Sequence, residues 1–70
     1  MKKQLLILGE KPDFDARYVL ANGKIARLVQ VDYTCTIYPF RIIAEEDEYW
    51  LGFYGIDIFD GRWSIVSKLD

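Results

Sequence analysis

Four arginines and eleven aromatic rings are the side chains with the most chemistry to offer in this 70-residue chain. Arg17, Arg27, Arg41 and Arg62 each fall within or at the end of a strand-like run. A guanidinium fork grips a phosphate or carboxylate through two parallel hydrogen bonds, which a lysine cannot reproduce. Among the rings, Tyr18, Tyr33, Tyr38, Tyr49, Trp50, Tyr54 and Phe59 are together more than one small core can hide. Tyr, Trp and Arg also dominate the energetics of binding interfaces. Hairpin registers counted outward from Asn22-Gly23 and Asp60-Gly61 set Arg27 opposite Tyr18 and Arg62 opposite Phe59. Each would be a guanidinium–ring pair on a sheet surface. The candidate ligand- or partner-binding set is therefore Tyr18, Arg27, Arg41, Phe59 and Arg62. Ordinary stacking and solubility would use the same contacts.

The chemistry that is missing is as informative. With no histidine and one cysteine, the chain cannot build a Ser-His-Asp or Cys-His nucleophile, a disulfide framework or the usual zinc site. Asp57 with Asp60, and Glu46 with Glu48, are carboxylate pairs in or beside turns, with nothing to drive their pKa values apart. The acidic run Glu45-Glu46-Asp47-Glu48 lacks the ligand spacing and the turn glycine of a calcium loop, and reads as a solvated turn. No catalytic residue, metal or cofactor is expected. A net charge of −2 is too acidic for a duplex-DNA binder and too small for a DNA mimic. The run Gly52-Phe53-Tyr54-Gly55-Ile56-Asp57-Ile58-Phe59 has a passing likeness to the aromatic strand of an RNA-recognition module, without its leading base or its helices. Met1-Lys2-Lys3 before Leu5-Leu6-Ile7-Leu8 begins like a signal peptide, yet the apolar run stops at Gly9. No stretch approaches the ~20 apolar residues that span a bilayer. A cytoplasmic protein with no membrane partner and a buried or inert Cys35 is the expectation.

The elements that must position these side chains read almost entirely as strands. Residues 5–8 form a short apolar run, followed by a polar loop. Residues 16–21 and 24–31 flank Asn22-Gly23, the strongest short hairpin signal. With those two residues as the loop, Tyr18, Leu20, Ile25, Arg27 and Val29 share one face, and Val19, Ala21, Ala26 and Leu28 the other. Both faces are then half apolar, which calls for a closed barrel or a covering partner. Residues 40–44 make a third strand, and residues 49–59 a long one bent at Gly52 and Gly55. Asp60-Gly61 turns that strand into residues 62–69, pointing Ile56, Ile58, Trp63 and Ile65 inward. One domain over residues 1–70 is expected. It is all-β: a small SH3-like barrel or a strongly bent antiparallel sheet of five to six short strands. A chain below the ~70–80 residues at which one core suffices should also self-associate, most simply as a dimer.

From residue 23 onward the chain resembles a group of small accessory proteins encoded by tailed bacteriophages and prophages. The matching elements are Gly23-Lys24-Ile25-Ala26-Arg27-Leu28-Val29, Asp32, Pro39-Phe40, Glu48-Tyr49, Tyr54, Asp60-Gly61-Arg62-Trp63 and Leu69-Asp70. The segment Gly55-Ile56-Asp57-Ile58-Phe59 is longer than the pattern. The resemblance implies a phage or mobile-element setting and no catalytic residues. It points to stoichiometric binding: counter-defence inhibition by sequestering a nucleotide-like or other small anion between subunits. The alternatives are capping of a host protein (a nuclease, a CRISPR effector or a polymerase subunit) through an aromatic or edge-strand surface, and a part in virion assembly.

Overall fold

The computed structural model describes residues 5–69. Five antiparallel strands form one bent sheet: β1 (Arg17–Leu20), β2 (Ile25–Val31), β3 (Phe40–Ala44), β4 (Asp47–Leu51) and β5 (Ile65–Leu69). Their order is β4-β3-β2-β1-β5, so β4 and β5 are open edges and the sheet is not closed into a barrel. The bent-sheet form of the expected fold is the one observed. Among the described residues no helix is long and apolar enough to cross a membrane.

The first hairpin corrects the expected register. Tyr18 pairs with Ala26 and Val19 with Ile25, one residue away from the two-residue-loop arrangement. The loop holds three residues. Gly23 N–H donates to Leu20 O and Leu20 N–H to Lys24 O, both at 2.9 Å, with Gly23 at φ +87°. This is a turn closed by a glycine in the left-handed region, the usual form of a three-residue hairpin loop. The tertiary structure selects it, because Ala21 and Asn22 donate their N–H groups to Ser64 O and Arg62 O at 2.8 Å. A one-residue slip moves every side chain to the other face. Tyr18, Leu20, Ala26 and Leu28 therefore share the buried side with Phe40, Ile42, Ala44 and Leu51. The expected half-apolar faces become one solid core and one outer face of Arg17, Ile25, Arg27 and Val29.

Leu5 and Ile7 fill the core from the side, but residues 5–8 are not a strand among the described residues. Ile7 bridges back to Glu10 across Leu8-Gly9, both at positive φ. Lys68 on β5 ties this arm down through Asp13 (3.3 Å) and Glu10 (3.7 Å). The acidic turn is shorter than expected: Ala44 already pairs with Asp47, leaving Glu45 and Glu46 as its tip.

The long strand over residues 49–59 is not formed. β4 stops at Leu51, and a 3-10 turn over Phe53–Gly55 reverses the chain, with Gly52 N–H donating to Ile56 O at 2.8 Å. A side chain at Gly52 would meet Ile58 Cγ2 at 2.9 Å and Ile56 O at 3.2 Å, so the fold-back needs glycine there. Ile56 and Ile58, expected inside, are 48% and 54% exposed. Trp63 is half-buried against the core, and Ile65 alone of the four is buried. Residues 62–69 supply β5 as expected from Ile65, but it pairs with β1 and not with the preceding segment.

Candidate binding groove

Three pieces of chain meet beside the open edge of β4. The first is the 32–39 loop. Asp32 Oδ1 accepts from Thr34 Oγ1 (2.6 Å) and Thr34 N–H (3.0 Å), while Asp32 N–H donates to Pro39 O (2.7 Å). Those bonds from Thr34, hydroxyl first and then N–H, hold the Asp32 carboxyl below the usual carboxylate range. Cys35 is half-buried and its Sγ accepts the Tyr38 N–H at 3.2 Å. The loop so fixed presents Tyr38. The second piece is β4 itself, carrying Tyr49 and Trp50.

The third piece, residues 52–64, is organised by Asp57. This aspartate is 4% exposed, and it is the one buried charged residue of the described chain. Its Oδ1 accepts from Phe59 N–H (3.0 Å) and the Tyr49 hydroxyl (3.1 Å), and its Oδ2 from Trp63 N–H (3.2 Å). Its own N–H donates to Ser64 Oγ at 2.8 Å. Burial works to raise the Asp57 carboxyl, but the Phe59 and Trp63 amides, with Asp60 and Tyr49, outweigh it and hold the group below its ordinary range. Burial first, and then the bond to Asp57, push the Tyr49 phenol up. The result is a stack: Tyr49 lies on Trp63 with ring centroids 4.8 Å apart and planes 5° apart. Phe59 lies on Tyr38 at 5.8 Å and 17°.

Between these rings runs an open groove of about 440 Å³ lined by Asp32, Cys35, Tyr38, Tyr49, Trp50 and Phe59. Its walls are almost wholly apolar, and Phe59, 73% exposed, stands at the rim. Ile37, Tyr54, Ile56 and Ile58 leave further apolar surface exposed on the same two loops. No protein-family model, curated protein or solved structure matches the chain. The groove therefore has to be read from its own chemistry.

The five residues expected to bind do not come together. Tyr18 is 1% exposed in the core, its hydroxyl accepting the Asp13 N–H, and it pairs with Ala26 and does not face Arg27. Arg27 lies on the outer sheet face. Arg41 pairs with Glu48 and stands 5.9 Å over the Trp50 ring, beside the groove, with its Nε buried and unpartnered. Arg62 is paired with Asp60 at 3.4 Å and does not face Phe59 across a hairpin. Of the five only Phe59 lines the groove. The excess of aromatics over core capacity did point to its other walls. Asp57 is the residue sequence reasoning missed, since a buried organiser and a solvated turn aspartate look alike in sequence.

Proposed function

We propose that the protein works by stoichiometric binding and not by catalysis, and that its partner is a protein whose apolar or aromatic side chain enters the aromatic groove. The observation that carries this reading is the groove itself, lined by four rings with one charged group, Asp32, at its wall. Pre-positioned rings offer large contact area at small entropic cost, which is the pattern of interface anchor sites. The open β4 edge beside it supplies unpaired backbone groups that an extended partner segment can use. In the phage setting that the sequence resemblance implies, such a partner is a host protein and the outcome is its inhibition. Dispersal of the arginines tells against the groove as an anion clamp.

The test is selection of random peptides displayed on phage against the full chain. The reading expects winners with a shared aromatic or aliphatic anchor, whose binding drops at least tenfold in Phe59→Ala and Trp50→Ala and is unchanged in Arg62→Ala. Winners without an anchor, or binding indifferent to both groove substitutions, would overturn it.

A further inference from the structure

A second cleft, sharing no residue with the groove, lies on the outer face of the sheet. It measures about 340 Å³ and is lined by Arg17, Ile25, Arg27, Val29, Ile43 and Glu45. The β1–β2 register carries Arg17 to the position across from Arg27, one step beyond the Tyr18–Ala26 pair. Residues so opposed stand about 5 Å apart at Cβ, and like charges there repel. The other two arginines are neutralised, Arg41 by Glu48 and Arg62 by Asp60, as are Lys24 by Asp47 and Lys68 by Asp13 and Glu10. Lys11, in the exposed arm, has no ion pair among the described residues. Among the described residues Arg17 and Arg27 are the two arginines without an ion pair, although the chain carries more acids than bases. Glu45 shares their cleft and is bridged to neither, which leaves the cleft with an excess positive charge.

We infer that Arg17 and Arg27 form an oxyanion-binding site for a small ligand that joins a phosphate or carboxylate to an apolar body. Two adjacent guanidiniums present parallel N–H donors that a single oxyanion can bridge, and bridging it removes their mutual repulsion. Ile25, Val29 and Ile43 supply an apolar floor for the rest of the ligand. The inference is independent of the groove and stands if the groove binds nothing.

The experiment follows the arginine Nε–H and isoleucine methyl resonances of the isotope-labelled full chain while phenyl phosphate or benzoate is added. The site predicts saturable shifts at Arg17, Arg27, Ile25 and Ile43, with Arg62 unmoved, and weaker binding at higher salt. Phenyl phosphate against benzoate separates a phosphate ligand from a carboxylate one. Arg17→Lys and Arg27→Lys keep the charge and the sheet but lose the fork, and each should weaken binding about tenfold. The amide spectrum of each variant verifies its fold. Absence of saturable shifts with both probes, equal shifts at Arg62, or unchanged affinity in the Arg17→Lys/Arg27→Lys double variant would overturn the proposal.

Discussion

The sheet and the 52–64 segment reach order by opposite means. In the sheet, order is distributed: Tyr18, Leu20, Leu28, Phe40, Ile42 and Leu51 pack together under four strand pairings. In the segment, no strand ladder forms, and a single carboxylate gathers Phe59, Trp63 and Tyr49. A ring lost from the shared core weakens the whole cooperative unit, whereas loss of the carboxylate loosens only the loop it gathers. The aromatic groove is built across the boundary between the two regimes, with Trp50 on the sheet and Phe59 on the loop.

Substitutions should separate these regimes by size of effect. Phe40→Ala removes a fully buried ring from the sheet. It should cost ~3–5 kcal/mol, enough to unfold a chain whose total stability lies at the low end of ~5–15 kcal/mol. Loss of the cooperative melt in far-ultraviolet circular dichroism is the readout. Asp57→Asn should cost ~1–3 kcal/mol, because one carboxylate lobe becomes an amide facing a backbone donor. Amide exchange in that variant should speed up over residues 56–63 while β2 and β3 stay protected. Equal acceleration in the sheet would mean that Asp57 supports the sheet as much as the loop.

Acid should act on the same boundary. A carboxylate held below its ordinary range contributes stability that is present above that range and is lost as pH falls through the lowered folded value. Asp57, Asp32 and Asp13 all shift this way. At low pH the Trp63 indole signal should therefore change before the β2–β3 amide signals, and Asp57→Asn should abolish that early step. Phe59→Ala, at a ring that is mostly exposed and stacked on Tyr38, should cost about 1 kcal/mol or less while removing the groove's rim. Smallest of all, Arg62→Lys, on an exposed pair with Asp60, should shift stability by less than ~0.5 kcal/mol and leave peptide binding intact.

The same contrast explains how much was legible in the sequence. Alternation and the Asn22-Gly23 pair found β1, β2 and β3 nearly to the residue, because local pattern and core burial agree there. The register was missed because Ala21 and Asn22 spend their amides on residues 64 and 62, a contact far along the chain. Ile56 and Ile58 alternate as strand residues do, yet Asp57 between them takes backbone amides that a ladder would have used. Surplus rings announced the exposed aromatic groove. The sequence pattern could not place the arginines, since one register step decides which face each one occupies.

The pairing of β1 with β5 also sets an order of events in folding. Arg17 pairs with Leu69 and Leu20 with Ile65, while β2, β3 and β4 pair as a meander of short connections. Closing a loop of roughly 50 residues carries a large entropic cost before its contacts repay it, so the meander forms first and β5 docks last. Until then the free side of β1 is an unpaired edge exposed to other nascent chains. Lys68, clamped between Asp13 and Glu10, acts as the latch that ends that exposure.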